Sequence, residues 1–162
     1  MDNKLIEMLN NQINMELFSA YLYHYMELKF KSLGLDGFAK WFEIQSDEEV
    51  GHAKRIERFL ISNDECPELI TINGYEDLSD DPKELLRLAL IHEKNVSKSI
   101  HDICLESLKQ KDFPVMQFMD WFIDEQVEEE RNAKDNLLCY ENYVTKGNGL
   151  MDFDKHMGTR VA

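Results

Sequence analysis

Residues 63–81, NDECPELITINGYEDLSDD, interrupt a chain that otherwise reads as helix, and their length decides the fold. Asp64, Pro67, Asn73, Gly74 and Asp80 break any helical pattern. About 19 residues also exceeds the roughly 12–15 at which a structureless connection becomes uncommon. On either side, apolar residues recur at helical spacing over four long stretches. The first runs from about Asp2 to Lys31 and the second from about Asp36 to Ser62; the third opens at Asp81-Pro82 and runs to about Lys109, and the fourth runs from about Asp112 to Lys146. A short fifth helix, about Leu150 to Met157, follows. A helix of about 30 residues is roughly 45 Å long, and about 19 extended residues reach about 63 Å. The connection can therefore run the length of a bundle. The few residues joining the first helix to the second, and the third to the fourth, force antiparallel hairpins. The expected fold is all-α over residues 1–162 as one domain: a four-helix bundle in which a long crossover lets the second and third helices lie parallel, with a short C-terminal helix.

The breaks carry local signals. Gly34 suits the left-handed position after a helix. Asp81-Pro82-Lys83-Glu84 reads as an N-cap, a proline at the first helical position and a capping-box glutamate. Asp112-Phe113-Pro114 opens the fourth helix in the same way, and Gly147-Asn148-Gly149 closes it.

Composition narrows the function. With 18 Lys+Arg against 32 Asp+Glu the net charge is −14, which excludes the basic surface that nucleic acid or an anionic membrane requires and favours cations as partners. A content of 43% hydrophobic and 10% aromatic residues is that of a chain with a core, so the acidity is not disorder. Cys66, Cys104 and Cys139 form no C-x-x-C, so reduced thiols are expected rather than a disulfide framework or a thiolate zinc site. The N-terminal residues lack the apolar region of a signal peptide and no run reaches membrane-spanning length, which points to a soluble, cytoplasmic protein.

Charge breaks the helical pattern at one position after another. Glu16 shares its face with Leu9, Ile13, Ala20 and Tyr23, and Glu49 lies between Phe42 and Ile56 with His52 and Ala53 beside it. Glu93 falls among Leu86, Ala89, Leu90, Val96 and Ile100, while Gln126 and Glu129 share the stripe of Phe118, Phe122 and Ala133. Each long helix thus turns a ligand-type side chain inward. Ionised carboxylates left unpaired in a core cost several kcal/mol each, so four that converge call for cations. Mostly oxygen donors with one imidazole suit iron or manganese better than structural zinc.

The spacing repeats. From Glu16 it is 33 positions to Glu49 and 36 to His52, and from Glu93 it is 33 to Gln126 and 36 to Glu129. The halves match with an offset of 77, which also relates Glu48 to Glu125. The chain reads as two helical hairpins of common design, each supplying half of one site, and that is a stronger signal than a lone E-x-x-H.

With E-E-V-G-H at 48–52 and W-F-I-D-E-Q-V-E-E-E at 121–130, nearly the whole chain resembles the prokaryotic non-haem ferritins. The resemblance implies a ferritin-like fold and a diiron ferroxidase centre, with Glu16, Glu49 and His52 around one iron. Glu49 would bridge to a second iron held by Glu93 and Glu129, with Gln126 beside it. It also implies a third iron site from Glu48, Glu125 and Glu128, shared with Glu129. The implied activity is oxidation of Fe(II) by dioxygen or hydrogen peroxide, with ferric mineral stored in a hollow homo-oligomeric shell, a 24-mer. Bacterioferritins and rubrerythrins differ: both carry E-x-x-H in the fourth helix, where this chain has Gln126 and Glu129. The bacterioferritin haem methionine would fall at Val50, so no haem is expected.

Simpler readings stand beside these. A metal-buffering bundle without ferroxidase turnover fits the same ligands. Tyr23 can hydrogen-bond a ligand from behind or donate an electron, and core packing with a hydrogen bond is the commoner role. Glu130 suits a solvated helix face. Trp121, Phe118, Met119 and Phe122 read as packing, and Cys104 and Cys139 as inert burial.

Overall fold

In a computed structural model of the chain, which describes residues 1–144 and 149–162, the helices are α1 (Asn3–Ser32), α2 (Asp36–Ser62), α3 (Pro82–Gln110), α4 (Phe113–Tyr143) and α5 (Leu150–Met157). The sequence places the long breaks correctly because the capping chemistry is local. Asp2 accepts a hydrogen bond from the Lys4 N–H and Asp112 one from Val115, meeting amides that a helix start leaves unpaired. After α1, Gly34 takes φ +74°. There the Leu35 N–H bonds to the Phe30 carbonyl and Gly34 to Lys31, a Schellman ending. Asp81 caps α3 through the Lys83 N–H, but the expected capping box is only half formed. Glu84 turns away to Arg87 at 3.2 Å, and the Asp81 N–H goes to the Ser79 hydroxyl instead. The fourth helix closes at Tyr143, and Val144 is already outside helical geometry. Its expected end at about Lys146, and the Gly147-Asn148 break, lie outside the described residues.

Contacts at the helix ends settle the topology. Lys4 near the start of α1 pairs with Glu106 near the end of α3 at 2.7 Å, while Lys29 near the end of α1 pairs with Asp80 just before α3 at 2.5 Å. So α1 and α3 run antiparallel. The short turn makes α1 and α2 antiparallel too, which leaves α2 and α3 parallel. Lys83 of α3 meets Glu141 of α4 at 3.1 Å, so that pair is a hairpin as well. The crossover runs beside α1: Asn10 accepts from the Glu68 N–H, and Asn14 accepts from the Ile70 N–H and donates to the Glu68 carbonyl. These bonds satisfy backbone groups that an irregular segment would otherwise leave unpaired.

The core has two apolar halves. One packs Met26, Phe30, Phe38, Phe42, Leu86 and Phe153; the other packs Leu9, Ile13, Ile56, Val96, Ile100 and Met119. Of the residues expected inward, Phe118 and Leu90 are half-buried rather than buried, and Phe118 stacks on Phe59 at 3.9 Å. Cys104 is buried, Cys139 half-buried and Cys66 exposed, all as free thiols. Among the described residues no helix is long and apolar enough to cross a membrane.

The short α5 packs on the end of the bundle that holds Phe38. Leu35, the N-cap of α2, supplies no capping side chain. Asp154 of α5 supplies it, accepting from the Phe38 N–H at 3.0 Å. Phe153 and Met157 are buried, whereas Met151 is exposed.

Candidate metal centre

Between the two apolar halves lies a polar layer to which each long helix contributes. Glu16 comes from α1, Glu49 and His52 from α2, Glu93 from α3, and Gln126 and Glu129 from α4; all six are buried, none more than 6% exposed. Helical periodicity explains why they meet: each occupies a core position in its own helix, at the same level along the bundle.

Among the described residues, three groups of ligand atoms lie within 4.8 Å of one another: Glu16, Glu49 and His52; Glu49, Glu93 and Glu129; and His52, Glu125 and Glu129. His52 Nδ1 is 3.1 Å from Glu49 and 3.9 Å from Glu16, and its Nε2 is 3.6 Å from Glu125. Of the residues expected around a third ion, Glu125 and Glu129 group with His52. Glu48 pairs with Arg160 at 2.5 Å, and Glu128 is exposed on α4; neither joins Glu125 and Glu129 in these groups. Gln126 donates from its amide nitrogen to the Glu93 carboxylate at 3.1 Å and to Ser97 at 3.3 Å, so it braces Glu93. The Tyr23 hydroxyl donates to the other Glu93 oxygen, while its ring packs against Phe42. Trp121 lies edge-on to His52 at 5.5 Å with the Arg55 guanidinium 4.2 Å over its ring.

The site includes side chains that the ligand pattern alone did not single out. Gln12 donates to Glu16 at 2.7 Å and is itself held by the Ser99 hydroxyl at 2.6 Å. Gln45 donates to Glu49 at 3.0 Å and to Glu129 at 2.8 Å. A signal existed in the sequence: Gln12 and Gln45 each stand four residues before an inward glutamate, one helical turn away on the same face. His92, buried beside Glu93, meets the Ser19 hydroxyl at 2.7 Å, and burial lowers its pKa to about 4.

Charge in this layer is unbalanced. Burial, then the neighbouring Glu49, raises the Glu16 pKa well above the ordinary range. Burial and the Glu93 and Glu129 charges do the same to Glu49. Burial raises that of Glu93, and burial followed by Glu93 pushes Glu129 up to about 8. One Glu16 oxygen is buried without a hydrogen-bond partner among the described residues. Such an orphan acceptor, among carboxylates that resist ionising, is what a divalent cation would complete. Oxygen donors with one imidazole match the chemistry of iron or manganese.

The sign of the pH dependence follows. With its folded pKa raised from 4.5 to about 8, Glu129 holds a proton in the native state that the unfolded chain releases. Its contribution is therefore complete below about pH 4.5 and is lost as pH rises through about 8. The metal-free protein is expected to melt several degrees lower at pH 8 than at pH 5.5, and divalent metal should reverse the loss by taking the proton's place. Calorimetric midpoints with and without metal check this; a metal-free midpoint that climbs over that interval contradicts it. Glu106, held down to about 2 chiefly by Lys4, stays ionised throughout.

The model of the ferritin-like domain family matches residues 6–138. A bacterial non-heme ferritin of Staphylococcus aureus (strain MRSA252) is 28% identical over 165 residues, covering 99% of this chain and 97% of its own length. The bacterial non-heme ferritin of Escherichia coli O6:H1 is 27% identical over 156 residues, with 96% and 94% covered. Among solved structures, an open pore ferritin from the hyperthermophilic archaeon Archaeoglobus fulgidus superposes with a TM-score of 0.96 at 34% identity, covering 99% of each chain. A humanized archaeal ferritin gives 0.96 at 33% identity, with 100% of this chain and 99% of its own covered. The family match runs through all four long helices, and the likeness to the archaeal structures extends on through α5; this chain belongs to the ferritin family, among the prokaryotic non-haem ferritins.

Proposed function

We propose that the chain is an iron-storage subunit whose core oxidises Fe(II) at a pair of metal positions before the iron is laid down as ferric mineral. The observation that carries the reading is the sharing of ligands between groups: Glu49 belongs to the first and second, Glu129 to the second and third, and His52 to the first and third. A carboxylate common to two groups can bridge two cations. Fe(II), the substrate, takes Glu16, Glu49 and His52 at one position and Glu49, Glu93 and Glu129 at the other. Adjacent anionic ligands favour Fe(III) over Fe(II), and two Fe(II) side by side deliver two electrons to one dioxygen or hydrogen peroxide. With dioxygen, two electrons and two protons yield hydrogen peroxide.

The surrounding residues have roles in this scheme. Burial, then the Glu93 charge, raises the Tyr23 pKa, so the phenol keeps its proton and donates it in a hydrogen bond that orients Glu93. Gln12, Gln45 and Gln126 orient Glu16, Glu49 with Glu129, and Glu93 respectively. A third position, from Glu125 and Glu129, which group with His52, together with Glu48 and Glu128, is where iron would leave the pair.

The storage shell is part of the same reading. Exposed Tyr21 and Leu28 on α1 and exposed Leu69 and Ile70 on the crossover are suited to burial between copies in a cytoplasmic 24-mer. Residues 1–162 then act as one domain, with the acidic charge drawing cations inward.

Stopped-flow absorbance after mixing metal-free protein with Fe(II) and oxygen tests the reading. The wild type is expected to oxidise Fe(II) about 100-fold faster than a Glu16→Ala, His52→Ala double variant. Equal rates would leave a metal-buffering protein. Size-exclusion mass of the same samples reads the shell, and a monomer would remove the storage claim.

A further inference from the structure

We propose that Arg160, in the segment after α5, is a positioning residue for the metal centre, acting through Gln45 to aim the carboxylates of Glu49 and Glu129. This rests on the metal-centre reading above and names a further residue for it.

Gln45 is 1% exposed and stands between two acceptors and one donor. Its amide nitrogen donates to Glu49 at 3.0 Å and to Glu129 at 2.8 Å, which uses both of its N–H bonds. Its oxygen faces outward and accepts from the Arg160 guanidinium at 2.9 Å. A glutamine amide can rotate by half a turn and exchange its oxygen for its nitrogen. Here the partners forbid it. Guanidinium only donates, so a flipped amide would set N–H against N–H on one side and oxygen against two carboxylates on the other. Arg160 therefore selects the amide orientation that gives Glu49 and Glu129 a donor each.

Arg160 is itself held in place. The guanidinium nitrogen that reaches Gln45 also donates to the Trp41 carbonyl at 3.2 Å, and the other donates to Glu48 at 2.5 Å. The guanidinium lies 4.1 Å over the Trp41 ring, and the side chain is only 17% exposed. Its backbone follows α5, which is anchored by Asp154 on the Phe38 N–H and by Lys40 on the Gly158 carbonyl. A planar, multidentate donor stacked on an aromatic ring is a directional contact rather than a floating charge. The link from C-terminal segment to metal position has two steps: one hydrogen bond from Arg160 to Gln45, and one from Gln45 to each of Glu49 and Glu129.

The test titrates Co(II), without oxygen, into the metal-free assembled protein and follows its ligand-field absorption, which reports coordination as well as affinity. The wild type should bind a pair of Co(II) in the core. Arg160→Leu is expected to weaken binding at the Glu49–Glu129 position about tenfold and to alter its spectrum. Arg160→Lys, which can only donate, should stay within about twofold of wild type, whereas Arg160→Gln, which can also accept and so permits the flip, should resemble Leu. On a Gln45→Leu background the Arg160→Leu change should add less than about twofold, since residues in one network are not additive. Unchanged Co(II) binding in Arg160→Leu, or full additivity with Gln45→Leu, overturns the proposal while leaving the metal centre intact. If Arg160→Leu releases α5, the Lys and Gln variants decide, and equal affinities for those two overturn it. A wild type that binds no Co(II) removes the metal centre and this proposal together.

Discussion

Replacing Glu49 by Gln is expected to remove rapid Fe(II) oxidation and, in the same protein, to make the metal-free fold more stable. Glu49 is the one residue shared by the first two ligand groups, so its loss takes a ligand from both positions and separates them as an electron pair. A fall of about 100-fold or more in the fast phase of oxidation is the expected size. The stability effect has the opposite sign. Glu49 is 2% exposed, and burial together with the Glu93 and Glu129 charges opposes its ionisation. An amide of the same shape still accepts from Gln45 and carries no charge. Relief of about 1–3 kcal/mol at pH 8 follows, read by thermal unfolding without metal. A residue retained for structure alone would show the reverse: lower stability and unchanged oxidation.

Gly37→Ala is expected to dislodge α5. A Cβ at residue 37 would lie 1.7 Å from the Asp154 carbonyl oxygen and 2.6 Å from its carbon, both backbone atoms that no rotamer change can move. The displaced segment would uncover Phe153 and Met157 and withdraw the Asp154 cap from α2. Together these cost about 3 kcal/mol, which lowers the melting midpoint by roughly 6–12 °C. Arg160 would leave the Trp41 ring, so the Trp41 fluorescence should become accessible to an aqueous quencher. Gly51→Ala in the same helix is the control. A methyl group at residue 51 would meet nothing within 4 Å among the described residues outside its own stretch of helix, and replacing a mid-helix glycine there should stabilise by about 0.5–1 kcal/mol. A Gly37→Ala protein as stable as the Gly51→Ala one would show that α5 is not seated as described.

The fold was legible because its evidence is local or a matter of reach. Helical periodicity located four long helices, the Asp-Pro and Asp-Phe-Pro openings placed two of their starts, and the length of residues 63–81 allowed parallel neighbours. The capping box at Glu84 misled for a simple reason: Arg87, one turn on, competes for the same carboxylate. Within the site, the buried carboxylates could be found because a charge on an apolar stripe has no solvated alternative. Gln12 and Gln45 were harder to see, since an amide on a helix is ordinary until the carboxylate it serves is known to be buried.

What the sequence determined by itself is the set of inward carboxylates and their repeat, 16, 49 and 52 against 93, 126 and 129, because each follows from the pitch of one helix. It also carried the family, through motifs that lie within single helices. Tertiary structure alone decided that Gln45 serves both Glu49 and Glu129, that Glu48 pairs with Arg160, and that Asp154 caps α2 at Phe38, 116 positions earlier in the chain. These pairings depend on how separate helices are turned and levelled against one another. Periodicity sets which face of each helix is buried, but packing of all the faces sets which atoms finally meet.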